Sequence, residues 1–169
     1  MIKGVSEWGV RPIFEFSDDG INDINGATIK QAFSKAKEFS DFNINWFEEP
    51  VASFNLKGLN FIRDRVSSQI NIAASEYGYN LPYYENMLSA DEAGILLADC
   101  TRCEAISNFL KVGHLCVVMQ LSIWSHCAPS KNLHASLAIS SFYIAEYFFD
   151  QARIEELLFD GFITQKMFI

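Results

Sequence analysis

The sequence predicts an α/β fold made of repeated strand–helix units around a parallel sheet. Three observations lead there. Short apolar runs alternate with longer segments whose apolar residues recur at three-and-four spacing, the mark of helices lying on a sheet. The alternation repeats at intervals of about 25 residues, as βα units do. The apolar runs also end repeatedly on an acid: Trp46-Phe47-Glu48-Glu49-Pro50, Asn71-Ile72-Ala73-Ala74-Ser75-Glu76 and Ile95-Leu96-Leu97-Ala98-Asp99.

In chain order, residues 26–42 carry Ile29, Ala32, Phe33, Ala36 and Phe39 on one helical face, with Lys30, Lys35, Lys37 and Glu38 largely opposite. Residues 44–47 read as a strand, 56–66 as a helix with Leu59, Ile62 and Val66 on one side, and 69–74 as a strand. A short helix at 81–88 precedes a strand at 94–98. A helix at 105–119, a strand at 121–124, a helix at 133–139 and a last strand at 142–147 complete the series. No low-complexity linker interrupts it, so residues 1–169 are expected to form one domain.

Composition narrows the function. With 169 residues, 50% of them hydrophobic and 15 of them Phe, the chain can bury a substantial core. A net charge of −8 argues against a nucleic-acid partner, which needs a basic face. No apolar run approaches the roughly 18 residues of a membrane span. The opening Met1-Ile2-Lys3-Gly4 lacks the pattern of a secretory signal, so a cytoplasmic location is expected. The four cysteines read as free thiols. Cys100-Thr101-Arg102-Cys103 has the spacing of a redox pair or half a zinc site, but neither the topology nor the two further ligands accompany it.

Parallel α/β folds place chemistry at the carboxyl ends of their strands. Glu48, Glu76 and Asp99 fall there, and Asp23 precedes the first clear helix. Strands about 5 Å apart let such side chains converge. An all-oxygen set from Asp23, Glu48 and Glu76 favours magnesium or manganese over zinc. Glu49 is either a ligand, a supporting acid or a salt-bridge partner. His126 ends the strand after Asp99; paired with that aspartate, it would form a general-base dyad. Glu146 ends the last strand, where it would hydrogen-bond a substrate oxygen if it holds a proton, or pair with Arg153. His114 and His134 lie on expected helices and read as packing or surface residues.

The ordered set Asn22-Asp23-Ile24-Asn25-Gly26, Trp46-Phe47-Glu48-Glu49-Pro50, Ser75-Glu76, Ala98-Asp99, Ser125-His126 and Ala145-Glu146 resembles the barrel domain of the enolase superfamily, mandelate racemase and muconate lactonizing enzyme subgroup. The resemblance implies a TIM-type (β/α) barrel, magnesium held by Asp23, Glu48 and Glu76, and abstraction of a proton next to a substrate carboxylate to give a metal-stabilised enolate. It also implies that Asp99 and His126 are the base dyad, that Glu146 hydrogen-bonds the substrate carboxylate, and that Lys3 is the second lysine of the family's Lys-x-Lys motif. The substrate would be a small carboxylate or acid sugar. Sugar-acid dehydration fits the single histidine base better than racemisation.

The chain departs from that pattern in several places. A full barrel has eight units and at least about 200 residues, whereas about six strands are legible here, with Ile13-Phe14-Glu15-Phe16 as a remnant of an early one. The family's capping domain is expected to be absent, and Glu104-Ala105 stands where the family has Gly-Gly. The barrel is therefore expected to be incomplete. Exposed edges then imply a homo-oligomer. An alternative follows: a truncated, catalytically inactive barrel remnant that folds by oligomerising.

Overall fold

A computed structural model describes residues 14–15, 27–42, 44–90 and 93–161. Among these residues six strands alternate with six α-helices: β1 (Phe14–Glu15), α1 (Ile29–Phe39), β2 (Trp46–Glu48), α2 (Leu56–Arg63), β3 (Asn71–Ala74), α3 (Leu81–Ser89), β4 (Ile95–Ala98), α4 (Ala105–Val118), β5 (Ser122–Ser125), α5 (Pro129–Ser136), β6 (Phe142–Ala145) and α6 (Phe149–Leu158). Every expected strand and helix is present, with ends displaced by up to four residues. The chain divides into two compact units, one comprising Met1–Ala74 with Ala90–Gly94 and the other Ser75–Ser89 with Ile95–Ile169. Among the described residues no helix is long and apolar enough to cross a membrane.

In the first unit, β1, β2 and β3 pair in sequence order, with Phe14 beside Phe47 and Phe47 beside Ile72. Helix α1 starts at a capping box: Gln31 N–H donates to Thr28 Oγ1, and Thr28 N–H donates to Gln31 Oε1. Its apolar stripe ends in buried Ala32, Ala36 and Phe39, and the Phe39 ring meets Phe47 edge-on at 5.3 Å. Asn55 caps α2 by accepting from Gly58 N–H. This helix turns Leu59 and Ile62 onto the core, each fully buried. Burial of such side chains contributes about 1.5–3 kcal/mol each.

In the second unit, β4 pairs with β5 and β5 with β6, all parallel. Leu96, Leu97, Ile123 and Trp124 form the centre of its core. Helix α4 packs through Phe109, Val112, Gly113 and Cys116. A Cβ on Gly113 would strike the Ile139 side chain, so glycine permits the close approach of helix and loop. The strand expected over 142–147 stops at Ala145, and α6 has no counterpart among the expected elements. Its apolar residues Phe149, Ile154, Leu157 and Leu158 are exposed, so no clean buried stripe marked the segment as a helix. Of the aromatic residues around β6, Phe142, Tyr147 and Phe148 are half-buried, and Tyr143 and Phe149 are largely exposed.

Candidate functional site

The second unit collects polar side chains just beyond its strands. Ala98, Ser125 and Ala145 lie level across β4, β5 and β6. The next residue of each strand is therefore Asp99, His126 and Glu146, side by side. Backbone bonds extend the ladder one step: His126 N–H donates to Ala98 O and Glu146 N–H to Ser125 O. This follows from parallel pairing in register, with strands about 4.8 Å apart.

His126 is buried, its ring edge-on to Phe148. Its Nδ1 lies 2.6 Å from Glu146 Oε2 and 3.5 Å from Glu76 Oε2. The Glu146 approach is close but too oblique for a straight N–H···O bond. Burial alone would lower the imidazole pKa, but the Cys127 side chain and the carboxylates of Glu146 and Glu76 outweigh it and push it up to about 11. The ring thus stands between two acids.

Asp99 is turned differently. Thr101 N–H and Oγ1–H donate to its two oxygens at 2.8 and 2.7 Å, and Asn132 Nδ2 donates at 3.2 Å. Arg102 Nε stands 3.7 Å away. The anticipated contact with Asp99 is therefore taken in this structure by Glu146 and Glu76: the histidine's acid partners are those two glutamates, while Asp99 is occupied by its own loop and by α5. Arg102 also reaches Glu76 O at 3.4 Å and lies over the Tyr77 ring.

Glu76 is buried. The loop after it is held where Tyr84 Oη donates to Gly78 O at 2.9 Å; any side chain at Gly78 would collide with that ring. Burial pushes the Tyr84 phenol well above its ordinary range, so it stays a donor. Glu48 closes β2 in the first unit and is 3% exposed. Glu49 follows it with φ of 39° and is half-buried. Asp23 and Lys3 lie outside the described residues. His114 and His134 are exposed on α4 and α5, as expected, and His134 Nδ1 meets Ser130 O within its own helix.

Other polar residues had no signal in the strand-end pattern. Asn132 sits within α5, where a lone polar residue on a short helix reads as solvated; it is fully buried. From α6, Gln151 Oε1 accepts from Ala128 N–H at 2.6 Å and Glu155 Oε2 from Ser130 N–H at 2.9 Å, so α6 caps the start of α5. The four cysteines are free and buried, consistent with the reading of reduced thiols. Glu104 and Ala105, where the resemblance implies Gly-Gly, have φ of 61° and 76°. The backbone keeps a glycine conformation without the glycines.

Parallel βα units with charged groups gathered at the strand ends define a class, that of α/β-barrel domains with a carboxylate-rich face. Residues 11–167 match the family described as enolase C-terminal domain-like, and the chain belongs to it. A mandelate racemase/muconate lactonizing enzyme-like protein from Rubrobacter xylanophilus is 40% identical, with a TM-score of 0.76 over 82% of this chain and 38% of that one. The D-galactarolactone cycloisomerase of Agrobacterium fabrum is 28% identical over 102 residues, 60% of this chain and 26% of the relative. L-talarate/galactarate dehydratase from Salmonella typhimurium LT2 shares the fold, with a TM-score of 0.67 and 21% identity over 72% of this chain and 30% of that one. The chain thus spans well under half the length of each of these proteins.

Proposed function

We propose that this chain carries out, or contributes the barrel face for, magnesium-dependent removal of a proton next to a substrate carboxylate, as in acid-sugar dehydratases and racemases. The observation that carries the reading is the buried contact of His126 with Glu146 and Glu76 beside the strand ends. Family membership supports it, as does the name of the curated relative, a sugar-lactone cycloisomerase.

The donor chemistry fits the metal. Glu76 is a buried carboxylate, and oxygen donors of this kind suit a hard divalent cation. Glu76 would hold it together with Glu48 and Asp23, and a bound magnesium ion would supply the positive charge against which a carboxylate's α-proton becomes acidic. His126 is the group that takes that proton, a role worth about 10²- to 10⁴-fold. An imidazolium between two carboxylates is the product of that step. One acid must be engaged elsewhere before the ring can accept a proton, and Glu76 as a metal ligand meets that requirement. Glu146, protonated and moved off the ring, would hydrogen-bond the substrate carboxylate. Asp99, fixed by Thr101 and Asn132, anchors the loop beside His126, and Lys3 would add positive charge to the substrate side. The enolate would then lose its β-hydroxyl as water, with the proton returned by the His126 imidazolium, or be reprotonated, and sugar-acid dehydration is the outcome we favour.

The test has two arms on the purified chain. Calorimetry should register magnesium binding, at about micromolar to low millimolar level, that Glu76→Gln and Glu48→Gln abolish. Proton NMR in D2O should show solvent exchange at the α-carbon, or elimination, for galactarate, glucarate or mandelate, lost in His126→Gln. A folded chain that neither binds magnesium nor exchanges any of these acids would sink the reading and leave an inactive barrel segment.

A further inference from the structure

We infer that Asn132 is the positioning residue of this site, a clamp that fixes the Asp99 loop against the His126 loop. The inference rests on the proposed function for its catalytic meaning and on geometry for the clamp itself. Asn132 lies one turn into α5 and is fully buried. Its Oδ1 accepts from Cys100 N–H at 2.9 Å. Its Nδ2 donates to His126 O at 2.7 Å, Cys127 O at 2.8 Å and Asp99 Oδ1 at 3.2 Å. An amide offers two hydrogens, so three acceptors share them. One side chain thus joins the residue after β4, the residue after β5 and the backbone of both following loops, with partners 5 to 33 positions away in sequence.

The loop that carries His126 needs such a restraint. Cys127 and Ala128 have φ of 60° and 34°, the left-handed region that side chains with a Cβ disfavour, and neither is glycine. Two consecutive residues of this kind persist only where surrounding bonds over-determine them. Asn132 supplies bonds to the carbonyls of His126 and Cys127, and Gln151 holds the Ala128 N–H. On the other side, Asp99 takes two of its acceptor bonds from Thr101 and the third from Asn132. Without the amide, the aspartate loop and the histidine loop lose their common partner. Catalytic groups tolerate little such freedom, since a displacement near 1 Å can cost about 10²-fold.

The clamp is tested with Asn132→Ala, Asn132→Asp, and Asn132→Ser in case the alanine variant does not fold. Aspartate keeps the shape but replaces the donor by an acceptor facing three oxygens, so a role in space filling alone would tolerate it. With an acid sugar turned over by the wild-type chain, we expect kcat to fall about 10- to 100-fold in the alanine and aspartate variants with KM little changed. An unchanged kcat, or a loss confined to KM, overturns the inference. If the wild type turns over none of the acids, the proposed function fails, and residue-resolved amide exchange decides the clamp alone. Exchange at Cys100 should then quicken about tenfold or more in Asn132→Ala, with Leu97 and Trp124 as protected as before. No change at Cys100, or the same acceleration at every amide, overturns it.

Discussion

In the first unit, among the described residues, the buried side chains are apolar with one charged exception, Glu48. In the second, Ser75, Glu76, Asp99, Ser125, His126, Ser130, Asn132, Ser136 and Glu155 are all buried. Strain is divided the same way. Glu49 is the described residue of the first unit with a positive φ, whereas Ser75, Glu104, Ala105, Gln120, Cys127 and Ala128 have one in the second. Burying polar groups and bending the backbone both cost free energy, and apolar packing in the same unit must offset them. The difference teaches where this fold spends its stability: one unit supplies packing, while the other diverts part of its interior to holding groups in place.

The largest effect that would test this contrast is in the apolar unit. Phe47 is fully buried between β1 and β3 and against Phe39. Phe47→Ala should cost about 3–5 kcal/mol through lost transfer energy and the cavity left behind, measured as a fall in the urea midpoint, with little dependence on pH. A loss under about 1 kcal/mol would mean that the first unit is not the packed body described.

A smaller loss is expected in the polar unit. Asp99→Ala strips acceptors from Thr101 and leaves the Asn132 amide short of one, at about 1–3 kcal/mol. Urea unfolding of Asp99→Asn beside it sharpens the comparison, because the asparagine retains one acceptor oxygen and should recover part of the loss. Equal losses in both variants would assign the effect to the charge instead.

The contrast also explains what could be read from the sequence. The strand-end acids were legible because a strand's apolar run and its terminal acid are both local, and parallel pairing then sets Asp99, His126 and Glu146 in one row. What the row does not reveal is which neighbour each side chain turns to. Asp99 finds Thr101 two residues on and Asn132 on a helix, so His126 meets Glu146 instead of the expected aspartate. Asn132, Gln151 and Glu155 act across 23 to 33 residues of separation, and nothing in their own surroundings distinguishes them from solvated helix positions. Helix α6 escaped notice for a related reason: its buried members Ala152 and Glu155 leave its larger apolar residues outside.

Alkaline pH should separate the units. Burial raises the thiol of Cys100 to about 11 and those of Cys103 and Cys116 to about 12, from an ordinary 9.0, and all three lie in the second unit. A raised pKa means that folding favours the protonated thiol. That contribution is complete below about pH 9 and is lost as pH rises through about 11 to 12. Amide exchange or denaturation followed against pH should therefore show the second unit weakening first above pH 9. At pH 7.5 these three thiols should react with a disulfide reagent only when the chain unfolds, and rapid reaction of the native protein would remove the buried-thiol account.

The smallest effect expected is a gain. Ala105 and Ala128 carry side chains in the left-handed region at the entries to α4 and α5, with φ of 76° and 34°. A Cβ there costs roughly 1–2 kcal/mol, which glycine avoids while losing some entropy of its own in the unfolded chain. Ala105 is exposed and Ala128 buried, so little packing is lost at the first position and more at the second. Ala105→Gly should therefore stabilise by about 0.5–1 kcal/mol, and Ala128→Gly by less, both measured by urea unfolding. If neither substitution stabilises, the bonds from Gln151 and Asn132 fully offset the strain near Ala128, and the polar unit sacrifices less to hold its site than its backbone angles imply.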